Sequence, residues 1–206
     1  MRAIVFSGGE PARPGLPLPA RDLVVCADSG LASADALDVQ PDVIVGDLDS
    51  IDPVALERAR RTGVEVEAHP AAKDATDLEL ALDAALRRGA ASIVVVSGGP
   101  GPRLDHFVAE LALLAATPAV AEALVGSARI RFVRAPASVA VTGTPGEVVS
   151  LVPAGADVGG VTTSGLRWPL TAEPLPFGTT RGVSNELSGT HATVSVTSGV
   201  LLVVQP

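Results

Sequence analysis

The stretch Pro41-Asp42-Val43-Ile44-Val45-Gly46-Asp47-Leu48-Asp49-Ser50 joins a contiguous β-branched run to a pair of acids. Val43, Ile44 and Val45 predict a strand covered on both faces, as in a parallel sheet, and Gly46 stops the run. If the backbone stays extended past the glycine, the two-residue period puts Asp47 and Asp49 on one face with Leu48 turned away. Carboxylates held that close repel each other unless a cation sits between them, and hard oxygen ligands suit magnesium. An Asp-rich turn with Ser50 capping a helix would give the same letters, so the neighbouring segments have to decide.

Those segments alternate. Before the central stretch, Arg2 to Ser7 and Asp22 to Ala27 read as strands. Gly8, Gly9 and a proline-rich loop from Pro11 to Pro19 separate them, and Asp28-Ser29-Gly30 closes the second before a helical pattern around Leu31 to Leu37. After it, Pro53 marks the first turn of a helix over Val54 to Arg61 that Gly63 ends, and Val64 to Ala68 is a short strand. Thr76 and Glu79 have capping-box spacing ahead of a helix from Asp77 to about Arg88. Leu78, Leu82, Ala85 and Leu86 share one face of it, and Gly89 is its stop. Asp77 would lie in the first turn, where the helix dipole alone accounts for an acid.

Ser92 to Val96 is the most hydrophobic strand, and Ser97-Gly98-Gly99-Pro100-Gly101-Pro102-Arg103-Leu104-Asp105-His106 leads from it into a helix over about Leu104 to Ala116. This turn lacks the Lys-Ser/Thr ending of a P-loop and the spacing of a dinucleotide fingerprint. Its small residues still expose backbone N–H groups at a helix N-terminus, and Arg103 adds a fixed positive charge suited to phosphate. His106 reads either as a base or as a hydrogen-bonded structural residue. Strand–helix alternation predicts an α/β architecture with right-handed crossovers and a mainly parallel sheet over residues 1–120.

From about Gly126 onward the character changes. Arg129 to Val133, Ser138 to Thr142, Glu147 to Val152, Ala192 to Val196 and Val200 to Val204 are short strand-like runs separated by Gly, Pro, Ser and Thr, without a helical pattern. A C-terminal all-β sandwich domain over residues 127–206 is expected, with the boundary between Ala116 and Ser127. Within it Gly165-Leu166-Arg167-Trp168-Pro169-Leu170 and Gly182-Val183-Ser184-Asn185-Glu186 stand out. Locally, Trp168 is a core residue or a ligand platform, and Ser184-Asn185-Glu186 is a turn or a contact.

Composition narrows the function classes. The chain has 206 residues, with four Phe, one Trp and no Tyr, so Val, Leu, Ala and Ile must build its core. A net charge of −8 argues against a nucleic-acid partner, which calls for a basic face. The lone cysteine, Cys26, excludes an internal disulfide and sits in a strand-like run. The sequence enters its first strand without a long apolar leader, and Pro118 interrupts the best apolar stretch, so a soluble cytoplasmic protein is expected.

Taken together, ADSG at Ala27 to Gly30, PDVIVGDLDS at Pro41 to Ser50, DATDLELAL at Asp74 to Leu82, GGPGPRLDH at Gly98 to His106, GLRWPL at Gly165 to Leu170 and GVSNEL at Gly182 to Leu187 resemble the thiamine pyrophosphokinase family in content and order. The resemblance spans nearly the whole chain. It implies transfer of the pyrophosphoryl group of ATP to the hydroxyl of thiamine, magnesium dependence, and a homodimer with the acceptor pocket at the subunit interface. It assigns Asp47, Asp49 and Asp77 to the metal, and Asp49, Asp77, Arg103 and Asp105 to catalysis. Asp28, Ser29, Gly30, Gly98, Gly99 and Arg103 fall to the nucleotide, and Trp168, Ser184 and Asn185 to thiamine. Ser29 replaces a glycine of the family's pattern, and Pro102 stands where a second glycine is usual, removing one N–H from the phosphate cradle. The competing readings are a pyrophosphokinase for another alcohol, such as a hydroxymethylpterin, and a non-catalytic nucleotide or thiamine sensor.

Overall fold

Contiguous aliphatic runs form the strands of the first compact unit, which comprises Met1–Leu113 and Glu122–Ser127. The computed structural model describes residues 1–12 and 15–206, so the expected Pro11 to Pro19 loop lies in part outside the described residues. In chain order the unit contains β1 (Arg2–Phe6), β2 (Leu23–Ala27), α1 (Gly30–Ala36), β3 (Val43–Gly46), α2 (Pro53–Arg61), β4 (Glu65–Ala68), α3 (Asp77–Arg87), β5 (Ser92–Ser97) and α4 (Leu104–Ala116), whose last residues fall to the second unit. Strands β5, β1, β2, β3 and β4 lie side by side, all parallel, and β6 (Val120–Val125) flanks β5. Parallel neighbours place all their carboxyl ends on one edge, where Ala27, Gly46 and Ser97 hand the chain to the loops that carry the acids and the glycine-rich turn.

Both faces of this sheet are covered. Ile4, Phe6, Val24, Cys26 and Ile44 share a buried cluster with Leu31 and Ala34 of α1 and with Leu56 and Ala59 of α2. The alternate strand residues point the other way, where α3 packs on β1, β2 and β3. Cys26 is fully buried, and burial pushes its thiol pKa up, which marks it as a core residue. Helix α3 begins as expected: Thr76 is its N-cap, and its hydroxyl accepts a hydrogen bond from Glu79 N at 3.3 Å. Its buried face is Leu78, Ala81, Leu82, Ala84 and Ala85, whereas Leu86, expected on that face, is exposed because the helix ends one residue later. Helix α2 is capped by Asp52, whose carboxylate accepts from Val54 N and Ala55 N, and not by Ser50.

The second unit, Leu114–Ala121 with Ala128–Pro206, is antiparallel throughout its strand pairs. Its strands are β7 (Ala128–Arg134), β8 (Ala137–Thr142), β9 (Val148–Pro153), β10 (Val158–Ser164), β11 (Glu173–Leu175), β12 (Asn185–Glu186), β13 (His191–Val196) and β14 (Val200–Gln205). One sheet runs β12-β9-β14-β7 and the other β11-β10-β13-β8. Val149, Leu151, Leu201 and Val203 from the first meet Val141, Val158, Val161, Leu175 and Val194 from the second in one buried cluster, so the unit is a sandwich. Strands β6, β10, β11 and β12 were not expected from the sequence. The Gly159-Gly160 pair hides the apolar period of β10, and β11 and β12 are too short to show one.

Candidate active site

Strands β2 and β3 end side by side, and each delivers acid. Asp28 follows β2 in a left-handed conformation (φ 44°) with its N–H donating to Val45 O at 2.8 Å. Past β3 the backbone does not stay extended, as the spacing of Asp47 and Asp49 had suggested. Leu48 is left-handed (φ 68°), and Asp49 N donates to Asp47 Oδ1 at 3.4 Å, so a turn brings the pair together instead of the strand period. Carboxylate oxygens of Asp28, Asp47 and Asp49 lie within 4.8 Å of one another. Gly46 makes this possible: with φ 153° and no side chain, it leaves space where a Cβ would come within 3.0 Å of both Asp28 Cβ and Asp77 Oδ1.

Asp77, the first residue of α3, completes the acidic edge and is held through Lys73. The lysine Nζ lies 2.9 Å from Asp47 Oδ2 and 2.7 Å from Asp77 Oδ1, with little of the side chain exposed. The second contact is an ion pair off the hydrogen-bonding directions, so Asp77 Oδ1 remains without a hydrogen bond, as does buried Asp28 Oδ1. Burial pushes the Asp28 pKa up, opposed by a backbone hydrogen bond from Ser29 and reinforced by the charges of Asp77, Asp47 and Asp49. The hydrogen bond from Lys73 holds Asp47 below the usual carboxylate range. For Lys73, burial lowers the pKa, but the close contacts with the Asp77 and Asp47 carboxylates outweigh it and the net shift is upward. Three acids with ligand oxygens within 4.8 Å of one another, a fourth linked to Asp47 through Lys73, and buried oxygens of Asp28 and Asp77 without a hydrogen bond form a donor set that suits a hard divalent cation. Lys73 was not singled out in the sequence. It is the only lysine of the sequence and stands four residues before Asp77, ahead of the Thr76 N-cap, and that singularity is the signal that would have found it.

The glycine-rich turn leaves β5 on the same carboxyl edge. A Cβ on Gly98 would meet Glu10 O at 2.1 Å, and one on Gly30 would meet Phe6 O at 2.4 Å, so both positions serve close backbone approach. Gly99 has φ 91°. Ser29 Oγ accepts from Gly9 N at 3.0 Å, tying the loop after β1 to the start of α1. At the start of α4, Arg103 donates to both oxygens of Asp105, at 3.0 and 2.7 Å, and this fork holds the Asp105 pKa down at about 2. His106 follows, exposed in the first turn. Glu110, one turn further along α4, was not anticipated. Its Oε2 accepts from Ser97 Oγ at 3.4 Å, its Oε1 is buried without a partner, and burial raises its pKa.

In the second unit the Trp and Ser-Asn-Glu motifs lie side by side. Leu166 bridges Leu187, Arg167 N donates to Glu186 O at 2.9 Å, and Ser188 N donates to Gly165 O at 2.9 Å. Trp168 is 52% exposed, which removes the core-residue reading. Asn185 is buried, with its amide spent on the Trp168 backbone. Ser184 is exposed and left-handed (φ 60°), its N–H donating to Ser150 Oγ at 3.0 Å.

Comparison with known proteins gives two family matches. The family described as "Thiamin pyrophosphokinase, catalytic domain" matches residues 18–123, and "Thiamin pyrophosphokinase, vitamin B1 binding domain" matches residues 136–201. The chain is 28% identical over 192 residues to the thiamine pyrophosphokinase of Bacillus subtilis, covering 88% of this chain and 82% of that protein. Among solved structures it is similar to a thiamine pyrophosphokinase from Bacillus subtilis (26% identity, 100% and 98% of the two chains covered, TM-score 0.84). A thiamin pyrophosphokinase family protein from Enterococcus faecalis is also similar (26% identity, 100% and 98% covered, TM-score 0.80). A thiamin pyrophosphokinase from Candida albicans shares the fold at 16% identity (99% and 89% covered, TM-score 0.74).

Proposed function

The chain belongs to the thiamin pyrophosphokinase family, and on that premise we propose that it transfers the pyrophosphoryl group of ATP to the hydroxyl of thiamine, giving thiamine diphosphate and AMP. The observation that carries this reading is the acid triad Asp28, Asp47 and Asp49, with ligand oxygens within 4.8 Å, at the carboxyl edge of a parallel sheet. Asp47 and Asp49, with Asp28 beside them and Asp77 at the margin, would hold magnesium. When bound, the metal neutralises phosphate oxygens and lets an acidic protein accept ATP.

The chain's own residues supply the rest. Arg103 is a fixed positive charge at the N-terminus of α4, suited to the phosphate oxygens on which negative charge spreads as the thiamine oxygen bonds to the β-phosphorus and the bond to the α-phosphate oxygen breaks. Ser29, Gly30, Gly98 and Gly99 shape the backbone around the nucleotide. Asp77 and Asp105 are the carboxylates assigned to take up the alcohol's proton, and Asp105, held at about 2 by Arg103, is a weak base for that step. Trp168 offers an aromatic face to the cationic ring of thiamine, with Ser184 next in sequence to Asn185, which bonds the Trp168 backbone.

The partner we infer is a second copy of the chain. Leu104 and Val108 on α4 of the first unit, and Trp168, Phe177 and Val183 in the sandwich, are large apolar side chains left exposed, which supports association through each unit taken by itself. Among the described residues no helix is long and apolar enough to cross a membrane, and dependence on ATP fits a cytoplasmic location. The discriminating experiment offers ATP and magnesium with thiamine or with a hydroxymethylpterin. Diphosphorylation of thiamine alone is expected. Turnover of the pterin would move the assignment to another alcohol, and binding of both substrates without turnover would make the protein a sensor.

A further inference from the structure

Trp168 is the only tryptophan of the chain, and three neighbours fix how it is presented. Asn185 uses both ends of its amide on the Trp168 backbone: Oδ1 accepts from Trp168 N at 3.1 Å, and Nδ2 donates to Trp168 O at 2.7 Å. The same Oδ1 accepts from Glu186 N at 2.9 Å, so one buried amide ties both motifs together. Pro169 restricts the Trp168 backbone from the other side. Over the indole, Arg167 Cζ stands 4.8 Å from the ring centroid, and Arg167 Nη1 donates to Glu186 Oε2 at 2.8 Å. One ring face is therefore occupied by a cation that is itself held in place.

From this geometry we infer that Asn185 is the positioning residue of the acceptor platform, and that the Glu186-held Arg167 closes one face of Trp168 so that the acceptor ring stacks on the other. The inference rests on the reading that Trp168 receives the acceptor. It moves Asn185 from ligand contact to support, because the side chain is buried, its Oδ1 already accepts two bonds and its Nδ2 spends an N–H on Trp168 O. It also makes Arg167 a specificity element. A guanidinium on one face already draws on the negative quadrupole of the ring, which leaves a single approach for a cationic heterocycle.

The single tryptophan makes the test direct, since fluorescence of the intact protein reports Trp168 alone. Thiamine is expected to quench the wild-type emission. Asn185→Ala, which removes the bonds to Trp168, should raise the KM for thiamine about tenfold with the KM for ATP within about twofold. Its emission should also become more accessible to acrylamide. Asn185→Asp keeps the acceptor half of the clamp and should fall between wild type and Asn185→Ala. In a Trp168→Ala background the Asn185→Ala effect on thiamine should vanish, because a positioning residue has nothing left to position. Persistence of the effect there would show direct ligand contact and overturn the clamp. Arg167→Ala, at an exposed side chain, should increase acrylamide quenching and raise the thiamine KM severalfold. Unchanged fluorescence and unchanged thiamine KM in both Asn185→Ala and Arg167→Ala would overturn the inference while leaving Trp168 as the platform. Absence of thiamine quenching in the wild type, with an unchanged thiamine KM in Trp168→Ala, would overturn the platform and the inference together.

Discussion

Lys73 Nζ sits 2.9 Å from Asp47 Oδ2, so a lysine just ahead of α3 supplies a positive charge to the acid that follows β3. The same ammonium reaches Asp77, and the pair of contacts draws two separate chain segments onto one edge. The lysine offsets one of four carboxylates, and the remaining charge is what a divalent cation would neutralise.

Asp47→Asn tests the metal reading. The substitution removes one member of a mutually repelling cluster and leaves Lys73 its contact with Asp77, so the melting temperature should stay nearly unchanged. Turnover at ordinary magnesium concentrations should be lost, and calorimetric titration should show magnesium affinity reduced at least about tenfold. An active variant with unaltered affinity would remove Asp47 from the metal site.

Gly46→Ala probes the same edge without touching a charge. The new Cβ would lie 3.0 Å from Asp28 Cβ and from Asp77 Oδ1, at a φ of 153° that side chains avoid. Backbone or carboxylate must shift. Weaker magnesium binding together with a lowered melting temperature is expected, and a variant with wild-type values in both would show that the acids are not packed as described.

Trp168→Ala should raise the KM for thiamine roughly fivefold to thirtyfold, the loss of one cation–π platform, while the KM for ATP changes little. Equal changes for both substrates would contradict its assignment to the acceptor.

Glu110 gives a pH signature. Its carboxyl has an ordinary value of 4.5 when unfolded, and burial raises it in the folded protein. Below pH 4.5 both states carry the proton and burial costs nothing. As pH rises through the folded value, the folded protein must bury a charge or hold a proton that the unfolded chain has released, and stability is lost. Glu110→Gln should therefore gain melting temperature over the wild type toward neutral pH, with the gain shrinking as the pH falls to 4.5. A difference that does not change with pH would contradict the shift.

Much of this could be read from the chain alone, for physical reasons that also explain the gaps. Val43 to Val45 and Ile93 to Val96 are buried on both sides of a parallel sheet, and that burial writes itself into contiguous β-branched letters. Thr76 and Gly89 mark the limits of α3 because an N-cap needs a side-chain acceptor and a left-handed stop favours a residue without a Cβ. Turn geometry was harder to see. Leu48 adopts a left-handed conformation that its identity does not announce, so the approach of Asp47 and Asp49 was assigned to the wrong cause. Lys73 and Asn185 were missed as supports because their roles depend on long-range neighbours: Asp47 for one, the Trp168 backbone for the other. Strand β10 was missed because Gly159 and Gly160 interrupt its pattern, and the sheet tolerates them through a bulge against β11.

The central claim is that an acidic site on the parallel sheet passes an intact pyrophosphoryl group to thiamine. Its most direct test is phosphorus NMR of the protein incubated with ATP, magnesium and thiamine. Equal amounts of AMP and thiamine diphosphate, formed without ADP, are predicted. Appearance of ADP with thiamine monophosphate, or persistence of ATP in the presence of folded protein, would contradict the claim.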